Sequence, residues 1–280
     1  MILVTGATGN VGSEVVQQLP AQGRKVRVFT RDAAKVAHLG NRVEVALGDF
    51  THPETFAEAV EGVEALFMMN GALDGGVFRE LMGIAKAKGT PRVVFLSSLF
   101  AEEPELRIGQ LHKEKEEALR ASGLPYAVVR AVGFMSNTYQ WLRDIKTESV
   151  IYNPMGEGQV ASVDPRDIAA VAVHALTAPV LKETLFEVTG SELLTTADKA
   201  RILSKYLGRE IRTVDVAPEQ AAEALRANGI PPHIAVALSQ SFENIRAGRA
   251  SRRTDTVERV LGRPPRTYEA WVKEHAGRFA

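Results

Sequence analysis

Three glycines near the N-terminus have the spacing of a phosphate-binding turn. Gly6, Gly9 and Gly12 follow the apolar run of residues 2–5 and precede an amphipathic segment. Gly6 permits a tight turn, Gly9 lets the backbone approach a diphosphate, and Gly12 lets a helix pack close to the strand. The helix N-terminus then presents N–H groups to the anion. The alternative is a glycine-rich turn without a ligand. The predicted cofactor-binding residues of this turn are Gly6, Thr8, Gly9, Asn10, Val11 and Gly12.

The end of the second predicted strand indicates which dinucleotide binds. A site for NAD needs a carboxylate about 20 residues after the glycines, whereas an arginine there pairs with a 2′-phosphate. Thr30 occupies the acid position, Arg31 follows it, and Lys35 lies one helical turn further on. Asp32 precedes a predicted helix and suits an N-cap better than a ribose contact. We therefore predict Thr30, Arg31 and Lys35 as cofactor-binding residues, with NADP(H) preferred and NAD(H) left open.

Alternating strands and helices must position these residues. β-branched runs predict strands at residues 2–5, 25–30, 43–47, 65–69, 92–97 and 126–130. Amphipathic periodicity predicts helices near residues 11–20, 33–38, 53–60, 76–88 and 111–122. Six strands, each followed by a helix or loop, predict an α/β fold built on a Rossmann-type, doubly wound parallel sheet.

The pattern changes in the second half of the chain. Asp164 and Pro165 predict the cap and first residue of a helix, and residues 184–189 predict a strand that returns to the sheet. Thr195 with Asp198 three residues on predicts a capping box. A further strand is predicted near residues 209–216. The predicted domains are a dinucleotide-binding Rossmann domain at 1–150, to which 163–190 return, and a small α+β substrate or lid region at 191–280.

Composition argues against several kinds of partner. Lys and Arg total 34 and Asp and Glu total 34, so no broad nucleic-acid or anionic-membrane surface is expected. The absence of cysteine excludes disulfides and cysteine nucleophiles, and the six scattered histidines give no metal-ligand spacing, so no metal site is predicted. No secretory signal or membrane-spanning run is expected, and we predict a cytoplasmic protein. A homodimer is left open.

Several motifs in combination resemble the NmrA-like family of atypical short-chain dehydrogenases/reductases, which includes NADPH quinone reductases and triphenylmethane-dye reductases. The resemblance covers nearly the whole chain. Its motifs are Gly-Ala-Thr-Gly-Asn-Val-Gly at 6–12, Gly-Asp-Phe at 48–50, Ser-Gly-Leu-Pro-Tyr at 122–126 leading to Arg130, Gly133, Phe134 and Asn137, and the segments 164–170, 188–190 and 207–209.

The resemblance implies further cofactor contacts. Asp49 should accept a hydrogen bond from the adenine amino group, and Phe50 should stack on or touch the adenine edge; for Phe50 a place in the core is the alternative. Other contacts are implied at strand ends, where doubly wound sheets place their ligands. They are Met69, Asn70 and Gly71 at the ribose and pyrophosphate, and Ser97 and Ser98 near the nicotinamide.

The usual proton donor of this superfamily is absent. Typical members use a Tyr-x-x-x-Lys pair to protonate a carbonyl oxygen. With Glu116 aligned to the acid that often follows that pair, His112 takes the Lys position and Ile108 the Tyr position, and residues 100–125 contain no tyrosine. We predict His112 as the catalytic candidate, either a late proton donor or a hydrogen-bond partner of the acceptor or ribose; an ordinary polar helix residue is the alternative. Lys115 and Glu116 are predicted on a solvated face.

The missing tyrosine favours an acceptor that needs no strong acid. A conjugated electrophile delocalises the incoming charge over its own π-system, so the protein mainly orients the reactants. We predict an NAD(P)H-dependent oxidoreductase that transfers hydride to a quinone-like or otherwise conjugated small molecule. Phe134 and Asn137 are predicted to bind this substrate, and Tyr139 and Trp141 either extend the pocket or pack the lid.

The missing tyrosine also bears on two other functions. A non-catalytic, NADP(H)-binding redox-sensing regulator of the NmrA type also fits the missing tyrosine. A nucleotide-sugar epimerase is disfavoured because that chemistry uses the tyrosine as its base.

Overall fold

The computed structural model describes residues 1–69 and 74–280, which form two compact units. The first unit consists of Met1–Glu102, Gly109–Ala131 and Pro165–Val188, and the second of Glu103–Ile108, Val132–Asp164 and Thr189–Ala280. Residues 132–150, expected in the first domain, therefore lie in the second unit.

Strands are short throughout the described residues. They are β1 (Ile2–Thr5), β2 (Val26–Thr30), β3 (Glu44–Leu47), β4 (Ala65–Met68), β5 (Val93–Ser98), β6 (Tyr126–Ala131), β7 (Val150–Asn153), β8 (Leu185–Val188) and β9 (Arg212–Asp215). The helices are α1 (Gly12–Ala21), α2 (Pro53–Ala59), α3 (Gly75–Ala87), α4 (Arg107–Ser122), α5 (Leu142–Glu148), α6 (Pro165–Thr177), α7 (Thr196–Leu207), α8 (Pro218–Ala227), α9 (Pro232–Arg246), α10 (Thr256–Leu261) and α11 (Tyr268–His275).

Seven parallel strands form the sheet of the first unit in the order β3-β2-β1-β4-β5-β6-β8. The chain moves outward from β1 to β3 and then crosses back to β4 on the other side of β1. The switch point, where doubly wound sheets bind ligands, therefore lies beyond the carboxyl ends of β1 and β4. The predicted Rossmann-type sheet, including the returning strand at 184–189, is confirmed.

Helices cover both faces of this sheet. On one face α1 packs against α6, and on the other α2 packs against α3. The central strands are consequently buried on both sides: every residue of β1 and β4 is buried, as parallel sheets require. No helix among the described residues has the length and apolar character needed to cross a bilayer.

The segment after β2 differs from the helix predicted at 33–38. It is 3₁₀-helical over Ala33–Arg42 and is interrupted at Gly40, where φ is +54°. The predicted N-cap at Asp32 is confirmed, since its carboxylate accepts a hydrogen bond from the N–H of Ala34 at 2.9 Å.

The second unit has its own core and a two-stranded parallel sheet. Strand β9, predicted near 209–216, pairs with β7, a strand that the sequence did not predict. The predicted capping box at the start of α7 is confirmed: Thr195 Oγ1 accepts from the Asp198 N–H, and the Asp198 carboxylate accepts from the Thr195 N–H. The core residues of this unit are Met135, Ile145, Ile151, Ala200, Leu203, Ile211, Tyr268, Trp271, Val272 and Phe279.

Candidate functional site

The glycine-rich turn between β1 and α1 folds back on itself. Gly6 has a φ of +64°, and its carbonyl accepts a hydrogen bond from the N–H of Gly9 at 2.9 Å. A Cβ added to Gly12 would lie 2.1 Å from that same carbonyl oxygen, so only glycine fits there. The positive φ and the close backbone approach are the two properties predicted from the spacing.

The side chain of Met69, just beyond β4, covers the other side of the turn. A Cβ added to Gly6 would lie 2.8 Å from the Cε atom of Met69, and one added to Gly9 would lie 2.9 Å from the same atom. Thr5 ties the two strand ends together: its Oγ1 accepts from the Met69 N–H at 2.8 Å and contacts the carbonyl oxygens of Phe67 and Met69 at 3.2 and 3.3 Å. Sequence reasoning did not single out Thr5, whose place as the last residue of β1 was the available signal.

The turn fits a diphosphate. The turn, in which Gly6 and Gly9 are partly exposed, leads directly into the ten-residue helix α1, whose N-terminal N–H groups favour an anion. Val11 is fully buried and anchors the turn, while Thr8 and Asn10 are exposed at its tip. The arrangement can therefore hold the phosphates of a dinucleotide between backbone amides and two polar side chains.

Charged residues collect at the ends of β2 and β3. Arg31 and Lys35 are exposed, and an Arg31 Nη1 atom lies 3.9 Å from Asp49 Oδ2. The Thr30 hydroxyl accepts a hydrogen bond from the Asp32 N–H at 3.2 Å. The Asp32 carboxylate is engaged in capping, whereas Arg31 and Lys35 are exposed to a ligand.

Asp49 and Phe50 sit on a tightly packed turn. A Cβ on Gly48 would lie 2.4 Å from the ring of Phe29, which explains the glycine of the Gly-Asp-Phe motif. The Thr51 N–H and hydroxyl donate to Asp49, and mainly the N–H bond lowers the pKa of this carboxyl group. The half-buried ring of Phe50 lies 5.1 Å from that of Phe29, so it packs against the core, as the alternative interpretation holds.

Behind the end of β5 lies a buried ionic cluster. Glu116 is 3% exposed and its carboxylate accepts bonds from Arg130 Nε at 2.9 Å and Nη2 at 2.7 Å. Ser97 Oγ donates to the same carboxylate at 2.6 Å. Arg130 also donates to Glu102 at 3.0 Å. The solvated face predicted for Lys115 and Glu116 is wrong: Lys115 is 0% exposed.

His112 lies one turn before Glu116 on α4, with Nδ1 3.5 Å from Ser97 Oγ. Burial, together with the smaller effect of the nearby charge of Lys115, lowers the pKa of His112 to about 4. The imidazole is therefore neutral at physiological pH. Burial likewise lowers the pKa of Lys115 to about 8, against the opposing effect of Glu114 and Asp74.

Of the three remaining predicted cofactor contacts, the structure describes Ser98. The hydroxyl of Ser98 accepts a hydrogen bond from the Phe100 N–H at 3.2 Å, which is a turn contact. Asn70 and Gly71 lie outside the described residues.

Comparison with known families matches residues 6–179 to a family described as NAD(P)H-binding. The chain belongs to this NAD(P)H-binding family. It is 38% identical to the (4-alkanoyl-5-oxo-2,5-dihydrofuran-3-yl)methyl phosphate reductase of Streptomyces griseus, with 100% of this chain and 99% of the relative covered. It is 35% identical to the NAD(P)H azoreductase of Xenophilus azovorans, with 100% and 99% covered.

A solved structure supports the same assignment. The NADPH-dependent quinone oxidoreductase of Escherichia coli, complexed with NADPH, superposes with a TM-score of 0.87 at 25% identity, covering 98% of this NAD(P)H-binding chain and 99% of that one. These findings confirm the predicted NAD(P)(H) cofactor and agree with the resemblance to NmrA-like reductases.

The predicted substrate residues of this NAD(P)H-binding protein belong to its second unit. Phe134 is half-buried, and its carbonyl accepts from the N–H of the exposed Asn137 at 3.0 Å, so the two share one 3₁₀ turn. The ring of Tyr139 lies 5.2 Å from that of Trp271, and both Tyr139 and Trp141 pack on the core of the unit. This contact agrees with the packing role that was their alternative.

Proposed function

We propose that this protein is an NADPH-dependent reductase of quinone-like or otherwise conjugated small molecules. The observation that carries the proposal is the pairing of a glycine turn built for a diphosphate with an α4 helix that contains no tyrosine to act as the proton donor. Where a tyrosine and lysine would stand, the sequence has Ile108 and the neutral His112. NADPH, when bound, supplies a hydride.

A conjugated acceptor suits such a site. A simple ketone requires a proton as the hydride arrives, because the negative charge develops on one oxygen. A quinone, azo compound or unsaturated lactone spreads that charge over several atoms. The relatives agree, since their names specify azo, quinone and butenolide-type acceptors. The role of this chain is then to orient the reactants and exclude water.

The preference for NADPH rests on the corner formed by β2 and β3. Arg31 and Lys35 offer two exposed positive charges to a 2′-phosphate, and the Arg31 guanidinium would stack or pair there as planar cations do with phosphates. Asp49 holds Arg31 at 3.9 Å and, as an ionised carboxylate, remains an acceptor for the adenine amino group.

The other predicted contacts complete the proposal. We infer that Ser97, Ser98 and Met69 line the nicotinamide and ribose, and that Phe134 and Asn137 bind the acceptor. A cytoplasmic location and a homodimer remain predictions, to be checked by fractionation and by light scattering.

Steady-state oxidation of NADPH by the full-length protein tests the function. Quinones, azo dyes, triarylmethane dyes and an unsaturated lactone should be reduced, and a saturated ketone of similar size should give a kcat/KM lower by about 100-fold or more. Absence of turnover above the acceptor-free background, or equal rates with the ketone, would contradict the proposal.

The same preparation tests the redox-sensor alternative. A sensor must respond differently to the oxidised and the reduced cofactor, so it should bind the two forms with different affinities. Strong discrimination together with no turnover would favour the sensor over the reductase.

A further inference from the structure

Three side chains from three elements of the first unit meet at the carboxyl end of the sheet. Ser97 and Arg130 are register partners on β5 and β6, so their side chains leave the same face. Both reach the buried carboxylate of Glu116 on α4. Arg130 binds both carboxylate oxygens in a bidentate pair, which fixes the orientation of the group.

The hydrogen of the Ser97 hydroxyl is committed by this arrangement. A serine has one O–H hydrogen, and a carboxylate can only accept. Two acceptors compete for it: Glu116 Oε1 at 2.6 Å and His112 Nδ1 at 3.5 Å. Hydrogen bonds to a charged acceptor are about twice as strong as neutral ones, and the carboxylate is also much closer. Glu116 therefore takes the hydrogen.

Ser97 can then only accept from His112. A neutral imidazole carries a hydrogen on one of its two nitrogens, and the hydrogen bond made by one nitrogen decides the state of the other. With Ser97 accepting, the hydrogen must be on Nδ1, and Nε2 keeps its lone pair.

We propose that the Glu116–Arg130 pair, acting through Ser97, holds His112 as the Nδ1–H tautomer, so that Nε2 is a hydrogen-bond acceptor for the bound nucleotide or substrate and not a proton donor. The tautomer stands on the geometry alone; the role toward a ligand rests on the proposed function. Ser97 and Glu116 are positioning residues in this scheme.

The neutral state of the ring agrees with this assignment. Burial lowers the pKa of His112 to about 4, so the ring is neutral at pH 7. A hydroxyl or amide hydrogen of the ligand is the group that Nε2 can bind, so His112 would select the orientation of a ribose, a carboxamide or a hydroxyl-bearing product.

Two-bond ¹H–¹⁵N NMR on the uniformly labelled, full-length protein distinguishes the two tautomers. The His112 signals are assigned by their loss in His112→Gln. We expect the Nδ1–H pattern in the wild type, and a shift toward the Nε2–H pattern in Ser97→Ala. Ser97→Thr, which keeps the hydroxyl, should retain the wild-type pattern.

Ser98→Ala is the matched control, because its hydroxyl accepts from the Phe100 N–H; it should leave the His112 pattern unchanged. An Nε2–H pattern in the wild type, or an unchanged Nδ1–H pattern in Ser97→Ala, would overturn the proposal. The wild-type spectrum decides the tautomer even if a variant fails to fold.

Ligand binding and the pH profile test the acceptor role. His112→Gln can still present an oxygen and should stay within about threefold of the wild-type affinity for NADPH or acceptor, whereas His112→Leu should lose about tenfold for one of them. A histidine proton donor would make kcat/KM fall between about pH 5.5 and 8, and His112→Gln would abolish that fall. We expect no such fall in the wild type. Such a fall, or equal losses in both variants, would overturn the role. If the protein is inactive toward all acceptors but His112 gives the Nδ1–H signal, the proposed function is contradicted and the tautomer assignment stands.

Discussion

Replacing Gly12 by alanine should disable cofactor binding through a backbone clash. The added Cβ would lie 2.1 Å from the carbonyl oxygen of Gly6, whereas carbon and oxygen atoms in contact are separated by about 3.3 Å. The start of α1 or the turn must therefore move by about 1 Å. Neither can yield easily, because Val11 and β1 are fully buried.

The loss of NADPH affinity can be estimated from the phosphate contact that this displacement would break. A hydrogen bond to a charged group contributes about 1.5–3 kcal/mol, so loss of one phosphate contact weakens binding by about 10- to 100-fold. Overpacking should also lower the free energy of unfolding by about 1–3 kcal/mol. Gly9→Ala should have a smaller effect on the free energy of unfolding, because its Cβ mainly meets the flexible end of Met69 at 2.9 Å.

Fluorescence titration with NADPH, accompanied by thermal denaturation of each variant, measures both effects. Gly83→Ala is the matched control: it lies on the exposed face of α3 with no atom near the added Cβ, so it should gain about 0.8–1 kcal/mol of stability and bind NADPH normally. A folded Gly12→Ala protein that binds NADPH within threefold of the wild type would refute the reasoning.

Three further predictions concern charge and capping. Arg31→Ala should raise KM for NADPH about tenfold and leave KM for NADH nearly unchanged in steady-state assays; equal changes would remove Arg31 from the 2′-phosphate site. Burial lowers the pKa of Lys199 to about 8, below its unfolded value of 10.5, so the unfolded state holds the proton more tightly and stability rises from about pH 8 to 10.5. Urea denaturation should show that this rise, at most about 3 kcal/mol, is missing from Lys199→Met; parallel curves would contradict it. Thr195→Ala should cost about 1 kcal/mol in the same assay by removing the capping box, while Thr147→Ala, at an exposed position of α5, should cost less.

The sheet and the phosphate turn could be predicted because their signals are local. Strand β1 runs directly into the glycines, so backbone requirements of a few adjacent residues determine the turn. The parallel, doubly wound sheet followed from the alternation of strands and helices along the chain. Strands β7 and β9 obey no such rule: they are four residues long, and their pairing joins segments about sixty residues apart.

The error at Lys115 and Glu116 has a different cause. The segment from Lys113 to Glu117 consists of five consecutive charged residues, and a charge run on a helix ordinarily faces water. Two of these charges are buried because partners come from distant elements, as Arg130 does on β6. Helical periodicity identifies which residues share a face, but it gives no information on what that face meets.

This buried pair also shows why the site near β5 could not be assigned from motif alignment alone. Aligning Glu116 with the acid of the usual motif placed His112 correctly on the helix, yet the chemistry of His112 depends on Ser97 and Arg130, which lie 15 residues before it and 18 after it. A histidine beside a free serine hydroxyl could hold its hydrogen on either nitrogen. Once Glu116 takes the serine hydrogen, one arrangement remains. The Glu116–Arg130 pair therefore sets the hydrogen-bonding character of His112 through Ser97, and substitutions in this pair should alter His112 before they alter the fold of the phosphate turn.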